Sequence, residues 1–193
     1  MTKRNPSAKP KPLRVIGGEW RGRTMLSPKG ETTRPTADRT RETLFNMLAS
    51  RIGSFEGLSV ADLFAGSGAL GLEALSRGAA SCLFVEEDKQ AVEAIRANIA
   101  KFEVRSRCEV HHGSVMQLGP AKVPHDLILL DPPYGTGAGN VALDRLDRLG
   151  WVGSATWIAL ETARQDEVEI KSLSVEAERI VGKAKLTLLR VSG

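Results

Sequence analysis

The stretch from residue 58 to residue 88 most limits what this chain can fold into. Residues 60–64 read as an apolar strand, Gly66-Ser67-Gly68 as a glycine turn, and residues 69–77 as a helix stopped by Gly78. Residues 81–85 then read as a second strand, ending in Glu86-Glu87-Asp88. A strand that passes through glycines into a helix and returns as a strand is a parallel crossover unit. The alternation continues. Residues 89–102 read as a helix with Ala91, Val92, Ile95 and Ile99 inward, residues 108–111 as a short strand, and residues 127–130 as a continuous apolar strand of the kind buried on both faces. A helix around residues 141–149 and a strand at 157–161 follow. Residues 167–173, 177–181 and 185–191 look like terminal antiparallel strands. Five buried strands with helices between them predict an α/β fold, an open doubly wound, Rossmann-like sheet. Ligands on such sheets bind past the C-terminal ends of the strands. The three chemically unusual segments, 62–71, 86–88 and 131–134, all fall there.

Ahead of this unit the composition changes. Residues 1–12, with Lys3, Arg4, Lys9, Lys11 and three prolines, predict a disordered basic tail. Residues 13–57 predict a small extension. Residues 13–16 and 23–26 flank Gly17-Gly18 and Gly22 as a short β-ribbon, and a helix starts at Pro35 with Thr36 as its N-cap. Leu44, Phe45 and Leu48 give that helix an apolar stripe. Residues 58–193 form the main domain. The chain is basic by four charges overall, yet its first 51 residues hold twelve Lys and Arg against four Asp and Glu. The whole excess therefore lies in the first quarter, which points to a polyanion partner on an N-terminal face. Arg14, Arg21, Arg23, Arg34, Arg39 and Arg41 carry it, and arginine's planar fork suits phosphate.

The glycine turn and the distant acid describe one cofactor site. Gly66 and Gly68 let the backbone approach a ligand closely. Glu86, 20 residues after Gly66 at the end of the next strand, can accept two hydrogen bonds from ribose hydroxyls. The spacing Gly66-x-Gly68-x-x-Gly71 also fits a dinucleotide fingerprint. Asp62, four residues before the first glycine, argues against a pyrophosphate there. It suits a cationic amino-acid tail, such as the ammonium and sulfonium of S-adenosylmethionine. The plain alternative for Asp62 is a strand-end carboxylate that caps local backbone amides.

Asp131-Pro132-Pro133-Tyr134, directly after a buried strand, is the most specific signal. An exocyclic amine on a nucleobase is a poor nucleophile because its lone pair is delocalised into the ring. A carboxylate and a backbone carbonyl held by prolines can each accept one N–H and turn that lone pair outward. Tyr134, the only tyrosine, can stack on the base. The target must leave its helical stack to enter such a pocket. Catalysis by orientation is implied, with a base role for Asp131 left open.

With these motifs in place, the chain resembles class I S-adenosylmethionine-dependent methyltransferases. More narrowly it resembles the RsmD family, bacterial 16S ribosomal RNA (guanine-N2)-methyltransferases. The resemblance rests on residues 14–23 (RVIGGEWRGR), 34–46 (RPTADRTRETLFN), 62–78 (DLFAGSGALGLEALSRG) and the Asp-Pro-Pro-Tyr at 131–134. It implies a seven-stranded, mostly parallel sheet with a C-terminal antiparallel hairpin. It also implies methyl transfer to N2 of a guanine in 16S ribosomal RNA of the small subunit, leaving S-adenosylhomocysteine. Asp62, Phe64, Ala65, Gly66 and Gly68 would line the methionine end of the cofactor, Glu86 would hold the ribose, and Glu87 would lie beside the adenine. Asp131, Pro132, Pro133 and Tyr134 would bind the target guanine. Thr36 would pack over the cofactor, and Arg14, Arg21, Arg23, Arg34 and Arg39 would face RNA. One departure is Ser114, which stands where Asp or Asn often meets the adenine amine.

Other classes fit less of the chain. An amino-group methyltransferase acting on other RNA or on DNA adenine would use the same loop, but a sequence-reading DNA enzyme needs a recognition domain that 193 residues leave no room for. A protein-glutamine methyltransferase would leave the basic first quarter unexplained. An NAD-dependent oxidoreductase would leave Asp62 and residues 131–134 without a role. A non-catalytic RNA-binding or assembly factor explains the arginines but not the cofactor residues. Two cysteines, Cys82 and Cys108, are too few for a disulfide framework or a zinc site. His111 and His112 read as strand-end residues, and no metal is expected. With no apolar run of membrane-spanning length and no signal peptide, the expectation is a cytoplasmic monomer.

Overall fold

The computed structural model describes residues 12–28 and 35–192. The predicted basic tail, apart from its last residue, and Arg34 lie outside the described residues. Helix α1 (Pro35–Ile52) precedes β1 (Ser59–Leu63), α2 (Ala69–Ser76), β2 (Ser81–Glu86), α3 (Lys89–Lys101) and β3 (Cys108–His112). There follow β4 (Leu127–Leu130), α4 (Ala138–Arg148), β5 (Trp157–Ala163), β6 (Leu173–Val181) and β7 (Ala184–Val191). The seven strands form one sheet in the order β3-β2-β1-β4-β5-β7-β6. The first five run parallel, and β7 is antiparallel to both β5 and β6. The chain moves outward from β1 to β3, then returns to β4 on the other side of β1. That reversal opens a crevice beyond the ends of β1 and β4.

The residues explain the layers. β4, Leu-Ile-Leu-Leu, is buried at every position because helices cover both of its faces. Val60, Leu127 and Leu129 face one apolar cluster with Leu44, Phe45 and Leu48 of α1 and Leu72 and Leu75 of α2. Ala61, Leu63, Ile128 and Leu130 alternate to the other face, against Ala142, Leu143 and Leu146 of α4. Gly71 lets α2 lie close on β2, since a Cβ there would stand 2.4 Å from the Phe84 ring and 2.6 Å from Cys82 Sγ.

Four expectations need correction. β3 is a largely exposed edge strand, so four of the five parallel strands are well buried. Residues 167–172 form no strand, because the edge position next to β7 is already taken by β6 from Leu173 onward. Thr36 falls inside the first turn of α1, which opens at Pro35, so it is not the N-cap. The N-terminal ribbon is a single bridge, Arg14 to Thr24, extended by Val15 N to Arg23 O (3.0 Å) and Met25 N to Leu13 O (2.8 Å).

The N-terminal segment is held on the main domain by buried polar side chains. Glu73 of α2 is fully buried, and its carboxylate accepts from Ile16 N and Gly17 N, each at 2.8 Å, and from Arg77 Nε at 2.9 Å. Ser76 accepts from Trp20 N at 2.9 Å. Asn98 of α3, also fully buried, pairs both ways with the Leu26 backbone and donates to Ser67 O. Leu13, Val15, Trp20 and Met25 complete the same apolar cluster as α1 and α2. Residues 13–28 and α1 therefore share the core of the main domain. Arg41 belongs to this interior: it is buried, donates to Arg14 O and Asp38, and lies 3.8 Å from Glu73 Oε2. Its charge is spent inside the protein and is not displayed to a partner. Among the described residues, no helix is long and apolar enough to cross a membrane.

Candidate active site

A cleft of about 420 Å³ opens at the C-terminal ends of the strands. Phe64 ends β1 on one wall, Val85, Glu86 and Glu87 come from the end of β2, and Ser114 and Val115 follow β3. Asp131 to Tyr134 follow β4, and Glu161 comes from β5. Five consecutive strand ends in the sheet thus feed one cavity, and the predicted ribose acid and the Asp-Pro-Pro-Tyr loop face each other across the switch point.

The glycine turn lies behind the cleft. Phe64 is left-handed, with φ 62°, a conformation that costs a non-glycine residue of order 1–3 kcal/mol. Gly66 follows at φ 54°, so the chain reverses out of β1 within three residues. Glu86 braces that reversal: Oε2 accepts from Gly66 N at 2.7 Å, and Oε1 accepts from Asp88 N at 2.8 Å. Asp88 in turn caps α3 by accepting from Ala91 N at 2.8 Å. Asp62, Ala65, Gly66 and Gly68 are not among the lining residues. Asp62 is buried, and its Oδ2 accepts from Gly71 N at 2.8 Å, so it does cap a local amide. Its Oδ1, however, is buried without a partner. Burial pushes the Asp62 carboxyl up to about 8, opposed by the Gly71 hydrogen bond and reinforced by Glu86.

On the β4 side, Pro132 is buried and Asp131, Pro133 and Tyr134 are exposed. The loop is pinned at several points. Thr136 Oγ1 donates to Pro133 O at 2.8 Å, and Asp166 Oδ2 accepts from Gly135 N at 3.3 Å and from Ala163 N at 3.2 Å. The Tyr134 hydroxyl donates to Glu161 Oε1. Burial pushes the Tyr134 phenol up, and the Glu161 hydrogen bond adds to this. Burial also raises the Glu161 carboxyl, while the Tyr134 hydrogen bond lowers it. At neutral pH the phenol therefore keeps its proton and the pair is an O–H donor and a carboxyl acceptor. Glu161 was not singled out in the sequence, although it stands at the end of the predicted strand 157–161. Only the sheet order shows that this end adjoins the Asp-Pro-Pro-Tyr loop.

The remaining predicted residues separate. Ser114 lines the cleft, but its hydroxyl oxygen caps a short 3-10 turn (Val115–Gln117) by accepting from Met116 N at 3.3 Å. His112 Nε2 lies 3.1 Å from Glu87 O. Thr36 has its side chain outside the described residues. Arg39 lines a different groove, between α1 and the end of β6. Arg14 donates to Gly22 O at 2.8 Å. Arg23 donates to Lys101 O at 3.0 Å and lies over the Phe102 ring at 4.6 Å, and Trp20 stacks on Phe102 at 4.8 Å. The Arg23 and Trp20 contacts are with the C-terminal end of α3, a helix that begins at the cleft. The structure therefore does not bring Arg21 and Arg23 to the cleft; they sit toward the opposite end of the sheet. Among the described residues no cluster of three His, Cys, Asp or Glu could hold a metal ion.

Comparison with known proteins places this arrangement in a family. The family described as Conserved hypothetical protein 95 matches residues 13–190. The chain is 35% identical over 178 residues to the ribosomal RNA small subunit methyltransferase D of Escherichia coli strain K12, covering 91% of this chain and 88% of that one. It is 38% identical over 163 residues to the protein of the same name from Haemophilus influenzae, covering 82% of each. The solved structure of yhhF from Escherichia coli superposes with a TM-score of 0.82 at 34% identity, over 95% of this chain and 99% of that one. A magnesium protoporphyrin IX methyltransferase from Synechocystis, solved with bound SAM, has a TM-score of 0.63 at 14% identity and shares the fold alone. Matched from residue 13 to residue 190, and over four fifths or more of these relatives, the chain belongs to the Conserved hypothetical protein 95 family, the RsmD family of methyltransferases.

Proposed function

We propose that this chain transfers a methyl group from S-adenosylmethionine to the exocyclic N2 amine of a guanine in 16S ribosomal RNA of the small subunit. The observation that carries the reading is the shared cleft: Glu86 and residues 131–134 line one cavity at the switch point of the sheet. The names of the small-subunit ribosomal RNA methyltransferases D that the chain resembles support the substrate class.

The residues present fit the cofactor. Glu86 offers its carboxylate for the ribose hydroxyls, and Phe64, Val85 and Val115 offer an apolar slot for adenine, with Glu87 beside it. The buried, unpartnered Asp62 Oδ1 stands behind the glycine turn, where a cationic amino-acid tail would lie, and a cation bound there would favour the ionised carboxylate. The bound cofactor supplies an electrophilic methyl group on a sulfonium. All the rest falls to the protein. The Asp131 carboxylate accepts one N–H of the guanine amine. Thr136 engages the Pro133 carbonyl, which leaves the carbonyl of Pro132 to accept the other. Two acceptors on one amine draw its lone pair out of conjugation and aim it. Tyr134 stacks on the base, and Glu161 fixes the ring by taking its hydroxyl. The target nucleotide reaches the cleft unpaired or flipped. The amine leaves with one proton fewer, and Asp131 is the acceptor within reach.

The test is methyl transfer from labelled S-adenosylmethionine to unmethylated small subunits, naked 16S RNA, duplex DNA and protein extract, with digestion of the labelled product to nucleosides. Label in N2-methylguanosine from the subunit or its RNA is the expected outcome. Label only in methyladenine or in protein overturns the reading.

A further inference from the structure

A second concavity lies outside the cleft. A groove of about 520 Å³ runs between α1 and the end of the β6–β7 hairpin. Arg39, Asn46 and Ser50 line it from one face of α1, and Arg179, Ile180 and Gly182 from the hairpin. Among the described residues that line it, the two arginines are the only charged ones, and none is a carboxylate. None of the ion pairs among the described residues uses either guanidinium. Two acids on the same elements are engaged elsewhere: Asp38 holds Arg41, and Glu178 meets Lys185 and Thr187. The Ser50 hydroxyl donates to Met47 O, and that of Thr43 to Arg39 O, so the helix satisfies its own hydroxyls. The groove therefore offers two arginine forks and the Asn46 amide, a donor set for anionic oxygens.

Its place relative to the cleft follows from the register. Ala163, at the C-terminal end of β5, pairs with Ala184 at the start of β7, and Arg164 N donates to Lys183 O at 2.8 Å. The hairpin tip thus stands at the same end of the sheet as the Asp-Pro-Pro-Tyr loop. β7 and β6 are the second and third strands from β4, so the tip lies about 10–14 Å from the end of β4 at ordinary strand spacing. A nucleic-acid strand whose base enters the cleft has its next phosphates within that reach.

We propose that this groove binds the phosphate backbone of the RNA strand flanking the target nucleotide, with Arg39 and Arg179 on phosphates and Asn46 on a neighbouring oxygen. The proposal rests on the reading of the chain as an RNA methyltransferase. It gives the β6–β7 hairpin a substrate-holding role and moves the RNA contacts nearest the target away from Arg21 and Arg23.

The experiment measures binding of 16S RNA and of unmethylated small subunits across a salt series, for the wild type and for the double variant Arg39→Ala, Arg179→Ala. Removing two phosphate contacts lowers the slope of log K against log salt by about 1.4 to 1.8. With the two lines meeting near 1 M salt, affinity at 0.1 M falls about 25- to 60-fold. S-adenosylmethionine affinity stays at the wild-type value, which shows an intact fold. KM for RNA rises while kcat at saturating RNA is kept. An unchanged slope and KM in a variant that still binds cofactor overturns the groove assignment and leaves the methyltransferase reading standing. Loss of binding to subunits alone, with naked RNA unaffected, also overturns it, in favour of an acidic protein partner. A wild type that neither binds nor methylates RNA refutes the underlying reading and the groove with it.

Discussion

Glu73 is the residue whose removal tests most directly how the N-terminal segment is held. In Glu73→Ala, the amides of Ile16 and Gly17 lose a carboxylate acceptor at 2.8 Å, Arg77 loses its counter-charge, and the buried Arg41 keeps only Asp38. Hydrogen bonds to a charged group contribute about 1.5–3 kcal/mol each, and breaking a buried ion pair costs about 3–5 kcal/mol. These terms overlap, so the expected loss is about 5 kcal/mol, a third or more of the stability of an ordinary domain. At about 2–4 °C per kcal/mol for a chain of this size, Tm falls by about 10–20 °C. Glu73→Gln keeps an acceptor but presents an amide to Arg77, and about half that loss is expected. Urea unfolding followed by far-UV circular dichroism measures the total. Amide hydrogen exchange of residues 12–28 reports whether the segment opens first. A loss below about 1 kcal/mol, with Ile16 and Gly17 still protected, would refute the view that this carboxylate anchors the segment.

The other predictions concern the site. Asp131→Ala is expected to abolish methyl transfer while S-adenosylmethionine affinity changes less than threefold by calorimetry; strong loss of cofactor affinity would sink the division of labour between the two halves of the cleft. Tyr134→Phe keeps the stacking ring but releases Glu161, so kcat should drop about tenfold with KM for RNA little changed, a loss of about 1.4 kcal/mol. Equal activity in Tyr134→Phe would remove Glu161 from the positioning machinery. Asp62 sets a pH dependence. Its carboxyl holds its proton up to about 8 in the native state but releases it near 4 when unfolded. The native state therefore binds the extra proton, and this group's contribution is fully present below about pH 4 and declines by up to about 1.4 kcal/mol per pH unit until about pH 8. Asp62→Asn should flatten that decline in urea titrations between pH 6 and 9; parallel curves for variant and wild type would show that Asp62 is ionised throughout.

Much of the fold was legible because its signals are local. The Leu-Ile-Leu-Leu of β4, the glycine turn after β1 and the acid ending β2 each declare their element and position within a few residues. The Asp-Pro-Pro-Tyr loop was legible as a strand-end feature of the cleft for the same reason. The errors lie where local signal and context part. Residues 167–173 look like a strand, but no sheet edge is left for them. Arg41 looks like its arginine neighbours along the chain, yet helical phase turns it inward to Asp38 and Glu73 while Arg39 stays outside.

What the sequence by itself determined is the α/β alternation, the glycine turn after β1 and the place of the Asp-Pro-Pro-Tyr loop after β4, because periodicity and turn chemistry act over a few residues. What only the tertiary structure decided is which distant residues meet. Glu161 holds Tyr134 because β5 lies beside β4, and Arg179 joins Arg39 because the last hairpin folds back to the cleft end of the sheet. The described arginines of the first quarter divide between a buried anchor and two surfaces because Glu73, Ser76 and Asn98 dock residues 12–28 on α2 and α3. Strand order and docking are set by packing among residues far apart in the chain, and no local pattern encodes them.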